Sequence, residues 1–125
     1  MTKRVYTVLC IDDETVGLRV RTMLLERAGY RVLGALDGPA GLALFAANPV
    51  DAIVLDYSMP GMTGAEVVIE LRRINPAVPI LMLSAYTSLP SNLVKLVDET
   101  MTKGEGAPAL LEKLGSLLTE RASQQ

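Results

Sequence analysis

Short apolar runs alternate with longer segments of helical periodicity along the chain. The apolar runs, each of which predicts a buried strand, cover residues 5–11, 30–36, 51–56, 78–85 and 99–103, the last being weakly apolar. The segments with helical spacing cover residues 14–29, 38–49, 64–76, 89–98 (a short one) and 107–120. Five strands alternating with five helices predict an α/β fold, in which helices cover both faces of a parallel sheet.

The spacing of apolar residues within three helices also predicts which residues share a side. In the first helix the residues at helical spacing are Val16, Val20, Met23, Leu24 and Arg27. In the third helix they are Val67, Val68, Leu71 and Ile74, and in the fifth helix the inward residues are Leu110, Leu111, Leu114, Leu117 and Leu118. These helices are therefore expected to be amphipathic.

The composition narrows the class of protein without identifying it. The chain has 125 residues, of which 50% are hydrophobic, so a single domain can bury a full core. A net charge of -2 with no long basic run gives no reason to expect nucleic-acid binding. The single cysteine, Cys10, lies in an apolar run, so we expect it to be a core residue. A lone cysteine is also consistent with a reducing compartment. The first apolar run is too short for a membrane span or a signal peptide, so we expect a cytoplasmic protein.

Polar side chains stand where the predicted strands end. Asp12 and Asp13 follow the first strand, Asp56 ends the third, Ser84 ends the fourth and Lys103 ends the fifth. Parallel sheets bind ligands outside the carboxyl ends of their strands. We therefore expect three carboxylates, one hydroxyl and one ammonium to share an edge of the sheet.

Three neighbouring carboxylates repel one another, and a divalent cation removes that repulsion. Mg²⁺, or Mn²⁺ in its place, prefers oxygen ligands and keeps several waters. The order of the residues predicts Asp13 and Asp56 as direct ligands and Asp12 as a direct or water-mediated ligand. The backbone carbonyl of Ser58, two residues after Asp56, is a further candidate ligand.

A carboxylate beside such an ion can act as a nucleophile toward a phosphoryl group. Asp56 is the best candidate because it ends the central strand. Lys103 can pair with a phosphoryl oxygen, and Ser84 can donate a hydrogen bond to another.

Each residue taken alone has a simpler interpretation. Asp12 and Asp13 can be helix caps, and Asp56 can begin an Asx-turn before the Pro-Gly segment. Ser84 can be a small polar residue at a strand end, and Lys103 a solvated lysine. The conjunction of all five at successive strand ends favours a shared site.

These residues lie in segments that resemble a receiver domain of bacterial two-component response regulators, of the stand-alone single-domain type. The matching segments are "VLCIDDE" at 8–14, "DAIVLDYSMPGMTG" at 51–64, "VPILMLSA" at 78–85 and "TK" at 102–103. The resemblance extends over about residues 4–120. It implies one receiver domain over residues 1–125, and we expect the polar tail 120–125 to fray.

The resemblance implies a flavodoxin-like, doubly wound (βα)5 three-layer sandwich with the strand order 2-1-3-4-5. It implies that Asp56 accepts a phosphoryl group from a histidine kinase or histidine phosphotransfer protein, with Mg²⁺ held at Asp12 and Asp13. Ser84 and Lys103 would contact the phosphoryl group. Such a domain is not an enzyme for other substrates, because it catalyses only its own phosphorylation and dephosphorylation. Its output and any weak homodimer usually involve the fourth helix, fifth strand and fifth helix.

That output region is where the chain departs from the resemblance. Thr100 stands where the family generally has an aromatic residue, and Gly104 stands where proline usually follows the lysine. The interval from Ser84 to Lys103 is also short, which predicts a truncated fourth helix region. Ala85 and Tyr86, together with Thr100, are the candidate switch residues.

Two alternative functions follow from these departures and from the fold class. A degenerate receiver could serve as a phosphorylation-independent interaction scaffold. An aspartate-nucleophile phosphohydrolase would need a second acid two residues after Asp56, where the chain has Ser58. The complete set of strand-end residues favours the phosphorylation-dependent receiver.

Overall fold

The computed structural model describes residues 4–86 and 88–123, with side chains described as far as residue 120. The strands are β1 (Thr7–Ile11), β2 (Arg31–Ala35), β3 (Ala52–Asp56), β4 (Ile80–Ser84) and β5 (Glu99–Thr102). The helices are α1 (Thr15–Arg27), α2 (Gly38–Ala47), α3 (Gly64–Ile74), α4 (Ser91–Val94) and α5 (Ala107–Ser123). Each predicted strand and helix is present, with ends that differ by a few residues.

The strands form one parallel sheet in the order β2-β1-β3-β4-β5. This is the predicted flavodoxin-like order, and it places β3 at the centre with β1 and β4 as its neighbours. Strand order reverses between β1 and β3. Such folds bind ligands at the carboxyl ends of the strands, next to this point.

Alternate residues of the central strands face two separate hydrophobic clusters, because side chains alternate across a sheet. Ile53 and Leu55 of β3 pack with residues of α2, α3 and α4, whereas Val54 packs with residues of α1 and α5. Cys10 lies fully buried in the second cluster, where burial raises the pKa of its thiol to about 12. The sheet therefore has a helical layer on each face, as predicted.

Two helices bury most of the residues that their apolar spacing predicts. In α5 the residues Leu110, Leu114 and Leu118 are buried, while Leu111 and Leu117 pack at the margin of the core. In α3 the buried residues are Val67, Val68 and Leu71, whereas Ile74 is exposed. Helix α5 continues to Ser123, beyond the start of the tail that we expected to fray.

Helix α1 presents a different side from the one that its spacing suggested. Of the predicted residues, Val16, Val20 and Met23 are 76%, 60% and 50% exposed, and Leu24 packs against the core. The helix also buries Leu25 and packs Leu18 against the core. Both faces of this helix carry apolar residues at helical spacing, so periodicity alone could not choose between them.

The fourth helix region is short, as predicted, since α4 comprises four residues. The segment after it is held by Arg72 of α3, whose guanidinium donates to the backbone carbonyl of Leu96 at 2.9 Å and pairs with Asp98 at 2.9 Å. A third bond, 2.7 Å long, joins Arg72 to the carbonyl of Val78. One side chain thus ties the α4–β5 segment to α3 and to the start of β4.

Among the residues that the structure describes, no helix combines the length and apolar character that a membrane crossing requires.

Candidate functional site

The register of the strands brings the predicted site residues to one edge of the sheet. Ile11, the last residue of β1, pairs with Leu55 of β3. The next residue of each segment, Asp12 and Asp56 respectively, therefore lies at the same edge. Ser84 pairs with the residue before Lys103. The strand ends therefore align as the sequence analysis expected.

Three carboxylates meet at this edge. Asp12, Asp13 and Asp56 each place an oxygen within 4.8 Å of the others. Asp12 and Asp56 are buried, with exposed fractions of 0% and 2%. Close carboxylate oxygens are the donors that a hard divalent cation such as Mg²⁺ selects, so these residues fit the predicted metal.

Lys103 supplies positive charge to the same cluster. Its Nζ lies 3.3 Å from Oδ1 of Asp56, 3.7 Å from Oδ2 of Asp12 and 3.5 Å from Oε1 of Glu14. Burial by itself would lower the pKa of Lys103, but the carboxylates of Asp56 and Asp12 outweigh burial and raise it. Lys103 therefore stays protonated and points at the candidate nucleophile.

The two buried carboxylates have opposite pKa shifts. Burial and the neighbouring charge of Asp12 raise the pKa of Asp56 to about 6, although Lys103 acts against this. Burial would also raise the pKa of Asp12, but the N–H of Glu14 and the guanidinium of Arg21 lower it below the usual value. As the pH rises, Asp12 therefore loses its proton before Asp56 does.

Arg21 is a residue of the site that the sequence analysis missed. Its Nη1 lies 3.0 Å from Oδ2 of Asp12, and its side chain is only 13% exposed. The signal that could have revealed it is its position on α1, between Leu18 and Leu25, which form the inward side. A charged residue on an inward side usually has a buried partner.

The simpler interpretations of the aspartates can be compared with the contacts. The N-cap of α1 is Glu14, and no side chain caps this helix, so Asp12 is not a conventional helix cap. The N–H of Ser58 does donate to Oδ1 of Asp56, at a long 3.4 Å, which is an Asx-type contact. This contact coexists with the ion pair to Lys103. The role predicted for the Ser58 carbonyl stays a prediction.

Glycine allows the chain to return close to Asp56. A Cβ on Gly64 would lie 2.7 Å from the carbonyl oxygen of Asp56 and 2.8 Å from the Cα of Tyr57, both backbone atoms. Gly61 has a φ of 74°, which a side chain disfavours. The Pro-Gly segment therefore folds tightly over the end of β3 and leads directly into α3.

Ser84 and the candidate switch residues lie beside this cluster. Ser84 is buried, and its Oγ accepts a hydrogen bond from the N–H of Tyr86 at 2.9 Å. Tyr86 is 61% exposed and, with Thr100, lines a cavity of about 160 Å³ between the loop after β4 and β5. Ala85 is exposed and is not among the residues lining it.

Comparison with known sequences identifies a protein family whose model matches most of the chain. The family model of the response regulator receiver domain matches residues 8–114. The chain is 34% identical over 119 residues to the transcriptional regulatory protein PrrA of Mycobacterium bovis, covering 93% of this chain and 51% of that protein. It is 32% identical over 115 residues to the probable transcriptional regulatory protein TcrX of Mycobacterium tuberculosis, covering 90% of this chain and 49% of that protein. The chain thus spans about half the length of these curated relatives.

Solved structures show the same architecture over nearly the whole chain. The chemotaxis protein CheY4 of Vibrio cholerae is 30% identical with a TM-score of 0.84, covering 91% of this chain and 99% of that one. The response regulator TrrA of Thermotoga maritima, solved in complex with Mg²⁺-BeF, is 30% identical with a TM-score of 0.85 and covers 90% of this chain and 99% of that one.

Proposed function

The chain belongs to the response regulator receiver domain family, and on that basis we propose that it accepts a phosphoryl group on Asp56. The donor is a histidine kinase or a histidine phosphotransfer protein, the partners that two-component systems supply. The observation that carries the proposal is the position of Asp56, buried at the end of the central strand with the Lys103 ammonium 3.3 Å away.

The proposed reaction is the transfer of one phosphoryl group from nitrogen to oxygen. A carboxylate oxygen of Asp56 attacks the phosphorus of a phosphohistidine and forms an acyl phosphate. The phosphorus–nitrogen bond breaks, and its electron pair stays on the imidazole of the donor. Lys103 pairs with a phosphoryl oxygen, and the hydroxyl of Ser84 donates to another.

Asp12, Asp13 and Asp56 are the residues that would hold a divalent cation, together with the predicted carbonyl of Ser58. When bound, Mg²⁺ or Mn²⁺ neutralises negative charge around the transferred group. Two observations support this assignment: the mutual distances of the three carboxylates and the Mg²⁺ present in the similar structure of TrrA.

We propose that phosphorylation changes protein binding at the face formed by α4, β5 and α5. This face is atypical, because α4 is a single turn and Thr100 and Gly104 replace the usual aromatic residue and proline. The downstream partner is a protein, and a weak homodimer through the same face is part of the proposal.

A phosphorylation-independent scaffold is the second candidate function. The shortened α4 and the residues at positions 100 and 104 favour it, since they alter the region through which receivers signal. A scaffold has no need for a metal, so titration of the unphosphorylated protein with Mg²⁺ distinguishes the two functions.

The direct test is labelling with acetyl phosphate in the presence of Mg²⁺, followed by intact-mass measurement. We expect the wild type to gain one phosphoryl group and Asp56→Asn to gain none. The matched control is Asp37→Asn, because Asp37 is an exposed N-cap residue and asparagine caps helices equally well. Absence of labelling in the wild type, or labelling of Asp56→Asn at the wild-type level, would refute the proposal.

A further inference from the structure

Arg21 holds the carboxylate on which the metal site depends. We propose that Arg21 is a positioning residue that weakens the binding of a divalent cation, by keeping Asp12 as its own ion-pair partner. This inference rests on the metal site of the proposed function. It concerns how tightly that site binds before phosphorylation.

The contacts of Asp12 leave neither of its oxygens free. Its Oδ1 accepts the N–H of Glu14 at 2.9 Å. Its Oδ2 lies 3.0 Å from Nη1 of Arg21 and 3.7 Å from Nζ of Lys103. A cation that coordinates Oδ2 must therefore share it with two positive groups or displace one of them, and a cation that coordinates Oδ1 must share it with the N–H of Glu14.

The ion pair between Arg21 and Asp12 is also shielded from water. The exposed fractions of the two side chains are 13% and 1%. Charge-assisted hydrogen bonds of this kind are strong, and removal from water increases the interaction of each charge with its neighbours. Arg21 differs in this respect from a surface arginine, whose charge is largely screened.

The fold around Arg21 allows both this contact and its release. Gly17, one turn earlier on α1, lies beside the ion pair, and even a Cβ there would make only ordinary van der Waals contact, at 3.7 Å, with Nη2 of Arg21 and with Oδ2 of Asp12. Arg21 also lines a cavity of about 320 Å³ between α1 and α5, together with Leu24 and Leu110. The guanidinium therefore has room to leave Asp12 when a cation arrives.

The expected size of the effect follows from charge. A guanidinium stays protonated at all relevant pH values, so it repels a divalent cation held by the same carboxylate. With screening close to that of water, the repulsion between this charge and a divalent cation about 6 Å away corresponds to about a ten-fold change in affinity. Neutral replacements of Arg21 should therefore bind Mg²⁺ about ten-fold more tightly.

The experiment is calorimetric titration of the full, unphosphorylated chain with Mg²⁺, and separately with Mn²⁺. The neutral variants are Arg21→Met and Arg21→Gln, and the glutamine variant serves as the second one if methionine impairs folding. Arg21→Lys retains the charge and should keep a Kd near that of the wild type. Arg19→Met is the matched control, because Arg19 is exposed on the same helix. We expect its Kd to change less than two-fold.

The outcomes separate the inference from the function on which it rests. A wild type that binds Mg²⁺, with folded neutral variants that bind equally or more weakly, refutes the role of Arg21 and leaves the metal site intact. Binding by the neutral variants alone supports the role of Arg21 in its strongest form. If neither wild type nor variants bind, both this inference and the proposed metal site are wrong.

Discussion

Asp56 and Asp12 are both buried, but their surroundings shift their pKa values in opposite directions. Asp12 receives a backbone N–H from Glu14 and the guanidinium of Arg21, whereas Asp56 has Lys103 as its close cation. Burial therefore dominates at Asp56 and raises its pKa to about 6. This residue is still mainly ionised at neutral pH, as the proposed nucleophile must be, but its charge is costly to the metal-free protein.

The cost of ionised Asp56 predicts that Asp56→Asn stabilises the metal-free protein at pH 7. Because the pKa of Asp56 is raised above the ordinary 3.8, its favourable contribution is present below about pH 4 and is lost as the pH rises through about 6. We expect the substitution to raise the free energy of unfolding by about 3 kcal/mol at pH 7 and by only about 0.5 kcal/mol at pH 4. Urea denaturation with a chelator measures both values.

Glu112→Gln is the control for this prediction, since Glu112 is an exposed acid on α5. It should change the free energy of unfolding by less than about 0.5 kcal/mol at either pH. Equal stabilisation by Asp56→Asn at pH 4 and pH 7 would contradict the assignment of a raised pKa.

At the scale of an element, one arginine makes several polar contacts that hold the segment from α4 to β5. Helix α4 has four residues and buries Leu93, so it contributes little apolar contact of its own. Arg72 donates to the carbonyls of Leu96 and Val78 and pairs with Asp98, which also accepts the N–H of Ile80. A short helix is marginal without such tertiary support.

Arg72→Ala is therefore expected to lower the free energy of unfolding by about 2–3 kcal/mol, because it removes three hydrogen bonds of a charged donor, one of them to the partly buried carbonyl of Val78. Arg73→Ala is the matched control on the same helix. Arg73 is 73% exposed, lies 3.8 Å from Glu70 and should cost less than about 0.5 kcal/mol. Urea denaturation of the two variants, side by side, checks the difference. Similar losses for both would show that Arg72 does not anchor this segment.

At the scale of the whole molecule, two chain connections join the site to one side of the sheet. Ser84 ends β4 and bonds the N–H of Tyr86 in the next loop, while Lys103 follows β5 and begins a 3₁₀ turn at Lys103–Glu105. Both residues are proposed to contact the phosphoryl group. A change at Asp56 is therefore expected to reach the loop after β4 and the end of β5, whereas no side-chain hydrogen bond or ion pair among the described residues joins the site to α2.

Phosphorylation is thus predicted to alter amide hydrogen exchange in residues 88–106 by at least about three-fold and to leave residues 38–47 unchanged. Comparison of the acetyl phosphate-treated wild type with treated Asp56→Asn isolates the effect of the acyl phosphate. Unchanged exchange in residues 88–106 of a fully labelled sample would contradict the proposed output face and favour the scaffold.

Much of the fold and the site is encoded in short-range patterns. Alternating apolar runs determine the order of strands and helices, and five such units admit few parallel arrangements. Asp56 and Lys103 each stand at or just after the end of a strand, so the shared sheet edge determines that they meet. The stretch "DAIVLDYSMPGMTG" also places glycine where the backbone approaches β3 most closely.

Other features depend on packing between distant segments, and the sequence alone could not decide them. Both sides of α1 carry apolar residues, so only the tertiary fold selects Leu25 over Val20 for burial and brings Arg21 to Asp12. Arg72 and Arg73 are adjacent, and the sequence does not distinguish them. In the structure Arg72 contacts the α4–β5 segment, whereas Arg73 lies near Glu70.

The opposite pKa shifts of Asp12 and Asp56 have the same origin. Each is a balance of burial, hydrogen bonds and charges contributed by residues far apart in the chain. Sequence by itself determined which chemical groups gather at the edge of the sheet, because strand ends are local features. Only the tertiary structure decided how those groups share charge, because electrostatic energy depends on distances between segments and on exclusion of water.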